Sequence, residues 1–242
     1  MRIVNIFFLF SCFQLHASNI DSLFQKANSH YQAEQYQEAL SFYNEVLNTD
    51  THSLERYLNL GNSHYQNGNI PASILHFERA LLLQPLHKEA QHNLSIAQLR
   101  IEMADELPIL FFEQWWKSFI LLTTPNNWSI LLIISLWLSA ILIIRFTNSK
   151  SRGLFKLLIA LLMLCIVSGA AYHKNSKEQE KTFAILFTDE NIKSESTENS
   201  QTLQVVSAGN KIEVLQIEND WALIQLTNGN QGWVRNTSFL EI

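Results

Sequence analysis

Cysteine is scarce in this sequence, and its two cysteines are unsuited to bonding with each other. Cys12 lies close to the N-terminus, and Cys165 lies inside a long apolar run. An intramolecular disulfide is therefore excluded, even in an oxidising compartment. Excess charge of one sign is also small, at −5, and no basic stripe with interleaved aromatic residues is present. The composition thus gives no support to nucleic-acid binding.

Signatures of catalysis and metal binding are missing as well. The sequence has no glycine-rich phosphate loop, nucleophile elbow or zincin motif. His87 and His92 lack the spacing that places two metal ligands on one helical face. His30 and His64 recur because the segment around them is repeated, at a position expected inside a helix pair. We therefore expect a protein that is not an enzyme and holds no metal or cofactor.

Apolar residues make up 47% of the chain but are unevenly distributed, which favours a membrane protein over a single globular core. Residues 1–17 are typical of a secretory signal peptide, because Arg2 is followed by a short apolar run and a small residue, Ala17, at the exit. We expect cleavage after Ala17. Retention of this segment as an anchor and lipidation at Cys12 are the alternatives.

A shift of about 34 residues brings two segments into register. The better copy contains Tyr57, Leu60, Gly61, Asn62, Ser63, His64, Tyr65, Gly68, Ile70, Ser73, Phe77, Ala80 and Pro85, and the weaker copy contains Ala27, His30, Tyr31, Tyr36, Ala39, Tyr43 and Val46. Small residues allow paired helices to approach, large aromatic residues fill the space between pairs, and Pro85 ends a helix. This pattern resembles the tetratricopeptide repeat family.

The resemblance implies an α-helical solenoid over residues 20–104, closed by a capping helix between His87 and Met103. Two repeats are few for a stable array, because each unit buries its apolar face against a neighbour. We expect a partner or the membrane to supply the missing surface.

The same resemblance implies a peptide-binding groove formed by the first helix of each repeat. Carried over by position, its residues are Phe24, Asn28, Tyr31, Gln32, Leu58, Asn62, Tyr65 and Gln66. Asn28 and Asn62 match the asparagine with which the family grips a peptide backbone. The basic residues that clamp a terminal carboxylate in some relatives are absent, so an amide-lined groove is expected. Solvated helix surface is the alternative.

Two apolar runs, residues 128–145 and 154–172, are long enough to cross a bilayer. Neither contains an acid, a histidine or an amide in mid-span, so they are expected to anchor the chain rather than to transport ions. The loop 146–153 is basic, and by the positive-inside rule it is cytoplasmic. Both flanking domains would then lie on the periplasmic side of the inner membrane.

Two short segments flank this hairpin. Residues 107–122, with adjacent Trp115 and Trp116, predict a helix in the membrane interface, the alternative being a spacer helix packed on the repeats. Residues 173–182 form a charged stalk.

From Phe183 the apolar residues alternate, which predicts short strands joined by turns at residues 219–220 and 228–230. The pattern over residues 183–242 resembles the bacterial SH3-like barrel, with residues 189–201 as its long first loop. Trp221 and Trp233 are candidates for a ligand-stacking surface of the barrel. Packing in the barrel core is the more common role of such residues and the one favoured here.

The order of these parts, with Phe111-Phe112-x-x-Trp115-Trp116 and Asn127-Trp128 before the first span, resembles the BatE proteins of the Bacteroides aerotolerance group. The resemblance implies a scaffold that works with von Willebrand factor A-domain membrane proteins, another repeat protein and a MoxR-type ATPase in stress or oxygen tolerance. The alternative is a protein that binds or senses peptidoglycan. The prediction is a multidomain membrane protein with a tetratricopeptide solenoid, a two-helix transmembrane hairpin and an SH3-like barrel.

Overall fold

The structure is a computed structural model that describes residues 20–47, 53–101 and 111–242. The predicted signal peptide, residues 1–17, lies outside the described residues. The chain divides into two compact units. One unit combines the N-terminal helices with the C-terminal strands (Met1–Leu107 and Phe183–Ile242), and the other is Pro108–Thr182.

The N-terminal part of the first unit is helical. Its elements are α1 (residues 20–32), α2 (Tyr36–Leu47), α3 (Leu54–Gln66), α4 (Ile70–Leu83) and α5 (Lys88–Gln98). Ser53 caps α3 by accepting a hydrogen bond from the backbone N–H of Arg56, and Asn69 caps α4 in the same way through Ala72. Between α3 and α4, Gly68 adopts a φ of 80°, which favours glycine.

Close approach of α3 and α4 depends on a glycine that faces an aromatic ring. A Cβ atom added to Gly61 would lie 2.4 Å from Cε1 of Phe77, well inside van der Waals contact. The Phe77 side chain is 1% exposed and cannot turn toward solvent. In the preceding helix pair the equivalent residues are Ala27 and Tyr43, which are also buried. The same packing scheme therefore occurs twice, about 34 residues apart.

The C-terminal part of the first unit is a seven-stranded sheet in the order β3-β2-β6-β5-β4-β1-β7. Its strands are β1 (Thr182–Leu186), β2 (Glu190–Lys193), β3 (Thr202–Val206), β4 (Lys211–Glu218), β5 (Trp221–Leu226), β6 (Gln231–Arg235) and β7 (Phe239–Glu241). The pairs β1–β7, β2–β3, β2–β6, β4–β5 and β5–β6 are antiparallel. The prediction of one long loop over residues 189–201 is wrong, because residues 190–193 pair with β3.

The sheet also packs against the helices. Ile185 of β1 is fully buried and belongs to the same apolar cluster as Ile74 and Leu75 of α4. At the edge of this cluster, Nζ of Lys211 lies 2.7 Å from Oε2 of Glu78. The C-terminal domain thus covers apolar helix surface that the short array leaves open, a role the sequence assigned to a partner or to the membrane.

The second unit contains α6 (Phe111–Ile120), α7 (Pro125–Ser149) and α8 (Arg152–Gln179). The indole Nε1 of Trp128 donates a hydrogen bond to the carbonyl oxygen of Ile120 at 3.0 Å, and Nδ2 of Asn175 donates to the same oxygen at 3.3 Å. These bonds attach the end of α6 to the α7–α8 hairpin. Helix α8 continues to Gln179 and so includes most of the segment predicted as a stalk.

Both α7 and α8 are long and apolar enough to cross a membrane. Their small polar residues face inward: Ser135 and Ser139 are buried, and Oγ of Ser135 lies 3.1 Å from Sγ of Cys165. The large apolar side chains face outward, with Trp137 70% exposed and Ile166 66% exposed. This arrangement is the reverse of that in a helix of a soluble core.

Candidate functional site

Four asparagines link neighbouring helices along one side of the N-terminal domain. Nδ2 of Asn59 donates to Oδ1 of Asn28 at 3.2 Å, and Nδ2 of Asn93 donates to Oδ1 of Asn62 at 2.9 Å. Both pairs are 31 residues apart in the chain, and the second pair follows the first by about 34 residues. We call Asn28, Asn59, Asn62 and Asn93 the asparagine row.

The asparagine row retains unused hydrogen-bonding groups. Oδ1 of Asn28 accepts from both Asn59 and the Tyr43 hydroxyl, and Oδ1 of Asn62 accepts from Asn93. Among the hydrogen bonds of the described residues, none uses Nδ2 of Asn28 or Asn62, or Oδ1 of Asn59 or Asn93. Each amide carries two N–H donors and an acceptor oxygen. The row therefore presents both donors and acceptors, which is what the backbone of an extended peptide requires.

Two tyrosines, each three residues after an asparagine of the row, also contact the next repeat along the chain. Tyr31 interacts with Gln66. Nε of Arg100 donates to the hydroxyl of Tyr65 at 3.2 Å, and its guanidinium lies 5.6 Å from the Tyr65 ring centre. Burial is the main cause of a raised pKa at Tyr31, and Tyr36 adds to it while Gln66 opposes it. Arg100 thus places a cation at this surface, although sequence reasoning found no basic residue there.

The remaining groove candidates differ in how deeply their side chains are buried. Leu58 was expected to line the groove, but it is 7% exposed and belongs to the same apolar cluster as Leu94 of α5, so it lies in the interior. Phe24 packs edge-on against Tyr43 with ring centres 5.7 Å apart. Gln32 and Gln66 are exposed.

Stacked rings fill the interior of each helix pair. His30 stacks on Phe42, and His64 stacks on His76 with ring centres 5.2 Å apart and planes 4° from parallel. Burial lowers the pKa of His64 to about 4. Burial, with His64 and Arg79 nearby, lowers the pKa of His76 to about 3. Both imidazoles are therefore neutral at pH 7.

The buried histidine pair is incompletely hydrogen bonded. Within the described residues, Nδ1 of His64, Nδ1 of His76 and Oγ of Ser73 are buried and have no partner. The same residues include no group of three or more histidine, cysteine or acidic side chains that could hold a metal ion.

Trp221 and Trp233 lie on the outer face of the sheet. On β5 the buried residues are Ala222, Ile224 and Leu226, and on β6 they are Gly232 and Val234. Successive side chains of a strand point to opposite faces, so both tryptophans point away from the core. The interpretation of them as core residues is wrong, and they are half-buried surface residues.

Polar and apolar residues of the neighbouring strands lie beside these tryptophans. Trp233 is directly opposite Leu223 of β5 on one side and Lys193 of β2 on the other. Trp221 is opposite Arg235, whose guanidinium lies 4.7 Å from the indole centre. We call this surface the tryptophan face. Sequence reasoning missed Lys193, because its strand was predicted to be a loop.

Comparison with known proteins supports this description of the C-terminal domain. The bacterial SH3 domain family matches residues 188–241, which contain β2 to β7. This part of the chain is therefore a bacterial SH3 domain, attached to a helical N-terminal region and two apolar helices. The comparison with curated proteins found no match.

Proposed function

We propose that this protein is anchored in a bacterial membrane and binds cell-wall peptidoglycan through the tryptophan face of its SH3 domain. Bacterial SH3 domains commonly bind peptidoglycan. The observation that carries the proposal is the outward orientation of Trp221 and Trp233 beside Leu223. Aromatic surface of this kind is suited to stacking against sugar rings and apolar side chains. The role is binding, without catalysis or a cofactor.

The distribution of side chains in the hairpin supports membrane anchoring. Large apolar residues cover the outside of α7 and α8, while Ser135, Ser139 and Ser168 are enclosed between the helices. Small residues at helix contacts and apolar residues outside are what a lipid environment favours. In lipid the exposed side chains avoid water, which accounts for their exposure in the isolated chain.

The first unit supports a location of both soluble domains on one side of the membrane. Helices that precede the hairpin and strands that follow it share one apolar cluster. A chain that builds one folded body from both flanks of a hairpin must cross the bilayer an even number of times. Arg145, Lys150, Arg152 and Lys156 mark the intervening turn as cytoplasmic by the positive-inside rule. Both domains would therefore face the periplasm.

A topology experiment tests this arrangement. Alkaline phosphatase fused after Ile242 should be active, because it folds only outside the cytoplasm, and the same enzyme inserted at Lys150 should be inactive. The reverse pattern would refute the arrangement.

Wall binding is tested with the full chain in detergent and purified peptidoglycan sacculi. Trp233→Ala should lower the fraction that sediments with sacculi, with about tenfold weaker affinity, because stacking interactions of this size contribute about 1 kcal/mol or more. Trp137→Ala is the matched control, since Trp137 lies on the outside of the hairpin. Equal sedimentation of all three proteins would contradict the proposal.

A second function is favoured by the asparagine row: scaffolding of envelope proteins through the N-terminal helices. The resemblance to tetratricopeptide repeats and to BatE proteins makes von Willebrand factor A-domain membrane proteins, another repeat protein and a MoxR-type ATPase system the expected partners. Extraction in mild detergent should recover integral-membrane partners with the wild-type chain. Asn62→Ala combined with Tyr65→Ala should lose them, and Asn44→Ala, an exposed asparagine on α2, should retain them. Retention by the double variant would exclude this groove.

A further inference from the structure

Two cations flank Trp233, the half-buried tryptophan of β6. Lys193 lies opposite Trp233 on the neighbouring strand, and Arg235 follows Trp233 by two residues on the same face. From strand geometry, the Cα atoms of Lys193 and Arg235 are roughly 8 Å apart. The tryptophan face is therefore more basic than the overall charge of the chain indicates.

Arg235 is paired within the domain, but only weakly. Its Nη2 contacts Oε2 of Glu198, and its guanidinium stacks on Trp221. The side chains of Arg235 and Glu198 are 44% and 67% exposed. Exposed ion pairs of this kind contribute little to stability. A ligand carboxylate can replace Glu198 at little energetic cost while Arg235 keeps its contact with Trp221.

Lys193 has no such acidic partner. Its Nζ donates to the carbonyl oxygen of Ser200 at 3.3 Å and to Oγ1 of Thr202 at 3.2 Å, and both acceptors are neutral. Within the described residues it forms no ion pair. An ammonium group has three donors, so one remains for a ligand, and the charge is not neutralised.

The connection between β2 and β3, residues 194–201, carries Glu198, the acid that contacts Arg235. The backbone N–H of Ser194 donates to the carbonyl oxygen of Gln201 at 3.0 Å, and Oγ of Ser200 donates to the carbonyl oxygens of Glu195 and Thr197. The connection is therefore a folded loop, from which the exposed Glu198 side chain reaches Arg235 on the tryptophan face.

We infer that the tryptophan face binds a carboxylate-bearing peptide of the cell wall, in which ligand carboxylates engage Lys193 and Arg235 and displace Glu198. This inference rests on the proposed wall binding and adds to it the chemical group that is recognised. The apolar or sugar part of the same ligand lies on Trp233 and Leu223. Glu198 acts as an internal competitor that selects for ligands with a stronger or second carboxylate contact.

Calorimetric titration of the full chain in detergent tests the inference with two matched probes. The first is the soluble disaccharide-peptide fragment released from peptidoglycan by a muramidase, and the second is the same fragment with its carboxylates converted to amides. Lys193→Gln should bind the first probe about tenfold more weakly, because it loses a hydrogen bond to a charged group. Glu198→Gln should bind it roughly threefold more tightly, because an exposed competing ion pair is removed. Neither variant should change binding of the amidated probe.

Two charge-matched controls lie outside the face. Glu89→Gln removes an exposed acid and Lys88→Gln removes an exposed lysine, both at the start of α5. Both should bind like the wild type, and hydrogen exchange of β4, β5 and β6 should match the wild type in all variants, which shows that the domain is folded.

The outcomes separate the two proposals. If the wild type binds neither probe nor sacculi, the proposed wall binding fails, and the inference fails with it. If the wild type binds both probes equally, or if Glu198→Gln fails to tighten binding, only the inference is overturned. Tighter, Lys193-dependent binding of an acidic polypeptide such as polyglutamate would overturn the assignment to wall peptide.

Discussion

Replacement of Gly61 by alanine tests the packing that positions α3 and α4. On an exposed helix this change stabilises by about 1 kcal/mol, because glycine is a poor helix former. Here the new Cβ would lie 2.4 and 2.5 Å from two carbons of the Phe77 ring, whereas ordinary contacts begin at 3.4 Å. The ring must therefore move by about 1 Å within a filled interior. We expect an overpacking cost of about 3 kcal/mol and a net loss of about 2 kcal/mol.

Native-state hydrogen exchange measures this loss where it occurs. All six tryptophans lie outside residues 20–101, so fluorescence does not report on these helices. Peptides from α3 and α4 should exchange about 30-fold faster in Gly61→Ala, as 2 kcal/mol requires. Gly169→Ala is the control, because its Cβ would meet Leu132 at an ordinary 3.9 Å.

A second substitution makes the explanation refutable. Phe77→Leu shortens the side chain that the new methyl group would strike. Combined with Gly61→Ala, it should cost less than the sum of the two single changes by about 1 to 2 kcal/mol. Additive losses, or slower exchange in Gly61→Ala alone, would show that the Gly61–Phe77 contact does not limit the approach of the helices.

Three further changes give expected outcomes. His64 and His76 have lowered pKa values in the folded protein, so the unfolded chain binds more protons below pH 6.5. The free energy of unfolding should therefore fall as the pH decreases toward 4, by up to about 1.4 kcal/mol per histidine per pH unit. His76→Phe should flatten this slope in hydrogen exchange of α4. Lys211→Met should destabilise the first unit by about 1 to 3 kcal/mol in the same assay, because Glu78 is 12% exposed and loses its partner. Gly232→Ala should destabilise the SH3 domain, measured as faster hydrogen exchange of β5 and β6, because its Cβ would meet a backbone oxygen at 2.8 Å.

Each of these outcomes has a control. His92→Gln, at an exposed position, should leave the acid slope unchanged, and an identical slope in His76→Phe would contradict burial as the cause. The double variant Lys211→Met with Glu78→Gln should recover most of the loss, and failure to recover would show that the ion pair is not the origin. Gly229→Ala should destabilise the SH3 domain less than Gly232→Ala does, because open space surrounds the new Cβ and only the φ of 85° is unfavourable for alanine.

The sequence predicts element types well where periodicity is strong. The helices of residues 20–98 and the hairpin have long patterns, and the strands around Trp221 have clear turns on both sides. Strand β2 escaped prediction because only Ile192 of its four residues is buried, so no alternation is visible. Short polar strands form through pairing with distant neighbours, here β3 and β6, and that information is not local.

The sequence indicates the orientation of Trp221 only weakly. Residues 221–224 are apolar in both phases of the alternation, so either Trp221 and Leu223 or Ala222 and Ile224 could face the core. Gln225, in the phase of Trp221, is the one polar residue of this strand that favours the observed outward orientation. The asparagine row could be predicted in part, because Asn59 and Asn93 are related by the same repeat offset as Asn28 and Asn62. Which asparagines pair with each other could not be predicted, because that depends on how the helices pack side by side.

The apolar core of the first unit is assembled from segments that are synthesised at different times. Ile74 and Leu75 are made early, whereas Ile185, which shares their cluster, is made only after the hairpin. During synthesis the apolar surface of the helical domain therefore stays uncovered until residues 183–242 have been made and have folded. The first unit is complete only when the segments on both sides of the hairpin meet, so a chain whose C-terminal strands fail to reach the helices would keep an exposed apolar surface that favours aggregation and proteolysis.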